Sequence, residues 1–213
     1  MATAIIGTGG LGSAVAHVLA AGGEALHLSS ADTESARKLA SSIGGSVVAA
    51  NDNRDALQGA EAVILALRFS DLKSVIEEVA DVLDDKIVVV PSNPVTLDPR
   101  GKVVRVLPEG QSSGEVVAGW LPAGSCLSLT FGTMSANLLE SSANRSPELA
   151  VLFYVTDDDR AGRGVERLIR SAGFDPVKVG GVDQSTRLEV GGDLHDRVVS
   201  LAEGRALVSG GVS

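Results

Sequence analysis

The chain has 213 residues, 44% of them hydrophobic, which suits one large domain with a buried core and excludes a disordered chain. Its net charge of −9 argues against nucleic acid and anionic membranes as partners, because both need basic faces. A single cysteine, Cys126, rules out an internal disulfide and reads as an inert, buried thiol, and no Cys/His spacing suggests a metal.

Aromatic residues make up only 3%, so the core must be built from Val, Leu, Ile and Ala, as in α/β sheets. No signal peptide precedes the first strand and no apolar run could span a bilayer, so a soluble cytoplasmic protein is expected. The chain begins with a short apolar strand, Thr3 to Ile6, which runs into Gly7-Thr8-Gly9-Gly10-Leu11-Gly12 and then a helix from Ser13. Gly7, Gly9 and Gly12 have the G-x-G-x-x-G spacing. The first permits a tight turn, the second a close approach of pyrophosphate to backbone, and the third close helix–strand packing. Free N–H groups at the helix start would then face the anion.

Gly22-Gly23 stop that helix, and Glu24 to Leu28 reads as a second strand. Asp32 is a cap for a helix through about Ile43, which Gly44-Gly45 end. A third strand covers 46–50, a loop with one helical turn 51–59, and a wholly apolar fourth strand 62–67. Leu72, Val75, Ile76, Val79, Val82 and Leu83 follow at helical spacing from about Ser70. Ile87 to Val90 is the fifth strand, cut off by Pro91-Ser92-Asn93-Pro94. Residues 95–111 read as a long loop, and Ser112 with Glu115 as a capping box for a helix to Trp120. Strands at 126–130, 149–155 and 174–179 follow, with a helix from Asp157-Asp158-Asp159 to Ala172 before the last of them. From Asp183 a helix is expected, fraying after about Ala206. Strands alternating with helices give an α/β fold with a doubly wound, mainly parallel Rossmann sheet and a small C-terminal α/β extension.

Ligands of such sheets bind beyond the C-terminal strand ends, at the switch in strand order. That gathers the glycine turn, Ser29-Ser30, Leu67-Arg68-Phe69, Pro91 to Pro94 and Phe131-Gly132-Thr133-Met134 around one cleft. An acid at the end of the second strand would favour NAD, but this chain has Ser29-Ser30-Ala31 and no acid before Asp32. Ser30, with Thr8, could donate to a 2′-phosphate, so NADP(H) is favoured; both serines could instead cap the next helix. Arg68 could pair with a cofactor phosphate or a substrate acid, or stay solvated. His17, His27 and His195 are too dispersed for a metal or a triad.

Several separated stretches together resemble the coenzyme F420-dependent NADP oxidoreductase family: residues 6–12, 87–94, Phe131-Gly132-Thr133, Gly173 to Val177, Gly180-Gly181 and Arg187-Leu188-Glu189. The resemblance implies a dinucleotide-binding domain over residues 1–135, with an extension over 136–213 packed on the same sheet, and a homodimer. It implies NADP(H) and coenzyme F420 as cofactors, with hydride passing between nicotinamide and deazaflavin. By motif match, Gly7, Thr8, Gly9, Gly10, Leu11, Gly12, Ser29 and Ser30 would hold the ADP end. Leu67, Arg68 and Asn93 would border the nicotinamide, Met134 and Ala136 its carboxamide, and Phe69, Pro91, Pro94, Phe131, Gly132 and Thr133 the pocket for a small-molecule redox partner.

Two departures stand out. Ala31 replaces the arginine common in the family, which removes a bidentate phosphate clamp and predicts a weaker NADP preference. Gly132 replaces a common His or Asn, which predicts a more open acceptor pocket. The rival readings are a reductase of a small imine or carbonyl compound and a dinucleotide-sensing protein without turnover.

Overall fold

The computed structural model describes residues 2–210. The apolar run after the N-terminus forms β1 (Ala2–Ile6), the glycine turn opens α1 (Gly10–Ala21), and β2 (Ala25–Ser29) follows. Asp32 caps α2 (Thr33–Ile43) by accepting from the Glu34 N–H, and Gly44 ends it at φ 73°. Then come β3 (Val47–Ala49), the single turn α3 (Asn53–Leu57), β4 (Ala60–Leu65), α4 (Phe69–Val79) and β5 (Ile87–Val90).

The second half departs from the sequence reading in three places. Residues 95–111 are not a structureless loop, since they hold a hairpin of β6 (Val95–Leu97) and β7 (Val103–Arg105). Its turn is made by Asp98, whose carboxylate accepts from the Arg100 and Lys102 N–H groups, and by Gly101 at φ 78°. After α5 (Ser113–Ala118), capped by Ser112 as expected, and β8 (Cys126–Leu129), a helix absent from the reading appears, α6 (Ala136–Ser142). It packs on α1 and places Glu140 3.3 Å from His17. The chain continues through β9 (Val151–Val155), α7 (Asp159–Ser171) and β10 (Asp175–Gly180). The helix expected from Asp183 is only a 3₁₀ segment, Val182–Arg187. Gly191 at φ 93° and Gly192, donating back to the Glu189 carbonyl, turn the chain away from a helical path. A separate helix, α8 (Leu201–Gly210), then runs past the expected fraying point at Ala206; the last of that tail lies outside the described residues.

One sheet of eight strands, in the order β3-β2-β1-β4-β5-β8-β9-β10, organises the molecule. From β3 to β8 every pairing is parallel; β9 then runs antiparallel to β8, and β10 parallel to β9. The order reverses between β1 and β4, so the crevice for a ligand lies above the C-terminal ends of those two strands. Apolar side chains cover both faces: Val15, Leu19, Val165 and Leu168 lie in one core, Leu72, Ile76, Val79 and Val117 in the other.

The antiparallel joint is sewn by buried hydroxyls. Ser128 donates to the Val155 carbonyl at 2.9 Å, Thr130 to Phe153 at 2.9 Å, and Thr156 to Leu127 at 2.6 Å. Thr156 is fully buried, and its oxygen also accepts from the Asp158 N–H at 3.1 Å. Replacing it by isosteric valine orphans both backbone groups, so Thr156→Val is expected to cost about 1–3 kcal/mol. Urea unfolding tests this; a midpoint equal to that of the wild type would show the hydroxyls to be incidental.

Candidate functional site

The crevice is shaped first by what its glycines exclude. Gly7 has φ 102°, and a Cβ there would overlap the Ala66 carbonyl just beyond β4. A Cβ at Gly12 would overlap the Gly7 carbonyl and lie 3.1 Å from the Ala66 methyl. These two positions therefore press the turn and α1 onto the end of β4. Gly9 and Gly10 are the opposite case, since a Cβ at either meets nothing within 4 Å. Gly9 is the N-cap of α1 and has no side chain to satisfy the first N–H groups, while Ser13 turns its hydroxyl back to the Thr8 carbonyl at 2.9 Å. Close packing at the first and third glycines, with open space before the second, is the arrangement that lets a pyrophosphate reach backbone donors at a helix start.

Cross-links tie the neighbouring strand ends into a rim. The Gly7 N–H donates to the Ser29 carbonyl and the Ala66 N–H to the Ile6 carbonyl, each at 2.8 Å. Ser92 donates to the Leu67 carbonyl at 2.5 Å, and Asn93 Nδ2 to the Gly132 carbonyl at 2.9 Å. The Asn93 carbonyl oxygen accepts from the Val190 N–H at 2.7 Å. Both ends of the Asn93 amide are thus spent inside the protein, holding β5, the end of β8 and the C-terminal segment together.

The expected ADP-side residues gather at one edge of this rim. Thr8 and Leu11 are partly exposed on the glycine turn. Ser29 is buried and gives its hydroxyl to Asn53 at 2.8 Å, whereas Ser30 is half-buried and its hydroxyl has no partner among the described residues. Neither serine caps α2, because Asp32 does so. Arg68 is the N-cap residue of α4, highly exposed, with Nε 2.8 Å from Asp71. Hydrogen bonds from Ser70 and Arg68 hold the Asp71 carboxyl below the usual carboxylate range. On the other side Met134 is buried in the core beside α1, and Ala136 opens α6 half-buried.

The expected acceptor pocket is instead a packed floor. Phe69 is buried with its ring centroid 5.6 Å from that of Trp120, and Phe131 is fully buried. Pro91, Pro94 and Thr133 are buried too. Gly132 does not open the pocket, since a Cβ there would overlap the Pro91 carbonyl, so the glycine serves the close approach of the β5 and β8 ends. That approach bends the chain sharply: the Gly132 N–H donates to the Thr130 carbonyl at 2.8 Å across Phe131, which is held at φ 63°. A bulky residue in that conformation stores about 1–3 kcal/mol of strain. The Thr133 hydroxyl is buried without a partner among the described residues and lines a cavity of about 20 Å³, room for one water.

A larger hollow of about 690 Å³ opens beside this floor, between Arg68 and Ser70 at the start of α4 and Val95, Thr96, Leu97 and Val106 of the hairpin. Its walls spring from the C-terminal ends of β4 and β5, the cofactor side of the sheet. Of these residues the sequence names only Arg68 as a site candidate, with 95–111 reading as a long loop whose length hints at function or mobility. The available signal was Val-Thr-Leu and Val-Val-Arg flanking Asp98-Pro99-Arg100-Gly101, two short β-prone runs around a turn.

Strand order, glycine turn and crevice define a Rossmann dinucleotide-binding protein. The model of a family described as NADP oxidoreductase, coenzyme F420-dependent, matches residues 2–94. A crystal structure of a hypothetical protein, SMa0349, from Sinorhizobium meliloti is 30% identical with TM-score 0.82, covering 94% of this chain and 95% of that one. A protein of Arthrobacter sp. FB24, proposed to be an F420-dependent NADP reductase, is 23% identical with TM-score 0.72, covering 87% of each chain. A reductive aminase from Aspergillus terreus, seen with NADPH and ethyl levulinate, shares the fold at 17% identity and TM-score 0.61, over 98% of this chain and 60% of its own. No curated protein matches. Residues 2–94 thus match the F420-dependent NADP oxidoreductase family, a family of NAD(P)-linked oxidoreductases. No helix among the described residues is long and apolar enough to cross a membrane.

The glycines give a paired prediction. Gly9→Val should fold normally and lose NADPH binding, because its side chain fills only the open space before the helix start. Gly132→Ala should lower stability instead, by driving a methyl into the Pro91 carbonyl. Calorimetric titration and thermal melting of both variants check this; unchanged NADPH affinity in folded Gly9→Val would remove the dinucleotide from this turn.

Proposed function

We propose that the protein is an NADP(H)-dependent oxidoreductase that exchanges hydride with a flat acceptor, the deazaflavin coenzyme F420 being the first choice. The observation that carries this reading is the glycine turn, closed at Gly7 and Gly12 and open at Gly9 and Gly10, beside a hollow rooted on the adjacent strand ends. Gly9, Gly10 and Leu11 would hold the pyrophosphate through backbone donors, and Thr8 with Ser30 the 2′-phosphate. Leu67, pressed toward Gly7, would border the nicotinamide. When bound, the nicotinamide supplies a hydride, and the acceptor takes it together with one solvent proton.

The hollow suits the acceptor. Val95, Leu97 and Val106 offer an apolar surface for a ring, and Arg68 stands at its edge for an anionic arm. Its lining contains no carboxylate, histidine or tyrosine. A carbonyl or imine acceptor would need a proton donor placed beside the nicotinamide. Ring-to-ring hydride transfer needs near-attack geometry above all, which favours the deazaflavin over the small-carbonyl reading.

NADPH is expected to bind more tightly than NADH, by roughly tenfold, as one or two hydroxyl contacts to a phosphate give without an arginine clamp. Ser30→Asp should reverse the order, because its carboxylate repels the 2′-phosphate and can accept from a ribose hydroxyl. Titrating both cofactors at low salt tests the preference. Stopped-flow mixing of the protein with NADPH and deazaflavin coenzyme tests the reaction, and competent binding of both without hydride transfer would point to the sensing role.

A further inference from the structure

We propose that Arg105 and Glu189 form a latch that fixes the β6–β7 hairpin as one wall of the acceptor hollow, which makes both of them positioning residues for the acceptor. The inference rests on the reading of that hollow given above.

The hairpin needs such a latch. Among the described residues β6 and β7 pair only with each other, and a lone two-stranded hairpin is marginal in water. Its apolar side chains do not anchor it, since Leu97 is 66% exposed and Val103 48%. At its base, backbone bonds from Val95 N to the Asn93 carbonyl and from Val106 N to the Pro94 carbonyl, both 2.8 Å, fix the root but leave the strands free to tilt. Arg105 lies directly opposite Val95 in the hairpin register. Arg105 ends β7; its neighbour Val106 lines the hollow, and its own long side chain extends to the body of the protein.

There its guanidinium binds the Glu189 carboxylate and the Gln111 carbonyl. Glu189 is only 4% exposed, so this is the buried end of the tether. The other Glu189 oxygen accepts from the Ser113 N–H at 2.9 Å and from the buried Ser185 hydroxyl at 3.0 Å, which fixes the carboxylate against the start of α5. The next residue, Val190, is tied through its N–H to Asn93 at the end of β5. A shift of the latch therefore reaches both the wall of the hollow and the rim beneath it. Among the described residues none of the hydrogen bonds that hold the latch reaches the glycine turn, so dinucleotide binding should not feel it.

Glu189→Gln keeps an acceptor for Ser113 and removes the charge that holds Arg105. Arg105→Lys keeps the charge and loses the planar fork, and Arg105→Leu loses both. With deazaflavin coenzyme as the probe and NADPH saturating, KM for the deazaflavin should rise about tenfold in Glu189→Gln and Arg105→Leu, the loss expected for one charge-assisted bond. Arg105→Lys should recover part of that rise, while the NADPH dissociation constant stays within about twofold of wild type in all three. Amide hydrogen exchange should quicken across 95–105 and remain unchanged in the glycine turn. Unaltered hairpin exchange, or losses shared equally by kcat and NADPH affinity, would overturn the latch. A wild type that binds NADPH and reduces no deazaflavin would sink the functional reading instead, and the exchange measurement would still judge the latch.

Discussion

The structure depends on one close approach: the glycine turn lies against the end of β4 with no room for a side chain at Gly7 or Gly12. Because α1 begins at that turn, this contact fixes where its first N–H groups point. It also brings Ala66 and Leu67, just beyond the fourth strand, to the edge of the crevice. The glycines at 9 and 10 have the reverse requirement, and their open surroundings follow from the tightness of their neighbours. A turn with side chains at all four positions could neither pack nor bind.

The turn itself was legible because its pattern is local, although its partner Ala66 lies far away in the sequence. Thr3 to Leu11 carries its strand, its turn and its helix start in consecutive residues, and spacing alone assigns each glycine a role. The parallel strands were legible for a related reason, since a strand buried on both faces reads as an unbroken apolar run, as Ala62 to Leu65 does. Asp32 and Ser112 announced their helices through caps that the structure contains.

What stayed hidden is long-range. Gly132 in the sequence looked like a missing side chain, but its reason is the Pro91 carbonyl 41 residues earlier in the chain. Phe69 and Phe131 looked like pocket aromatics because they follow strand ends, yet both turn inward, Phe69 onto Trp120 and Phe131 into the core. Asn93 has a family position beside the nicotinamide, while its amide joins Gly132 to Val190 across the rim. The 3₁₀ segment and the turns after Arg187 owe their path to Gly191-Gly192 and to bonds such as Asp196 N–H to the Thr133 carbonyl, at 2.7 Å. Apart from the turn at Gly191-Gly192, none of these partners is near its mate in sequence, so no local pattern could expose them.

The two kinds of information divide along a functional line. The proposed dinucleotide half of the site centres on the contiguous glycine turn, whose backbone would do the binding, so its chemistry is written into the spacing. The proposed acceptor half would be assembled from the ends of β4 and β5, an added hairpin and a distant carboxylate, each held by the next. Hydride transfer between rings asks the protein for position more than for acid or base. Position is what the rim supplies: Ser92 bridges β4 and β5, Asn93 bridges β5 and β8, and the strained turn at Phe131 is retained because the close contact at Gly132 demands it. A site of this design can change its acceptor by altering the hairpin alone, leaving the glycine turn untouched, since the two halves share the sheet and few side chains.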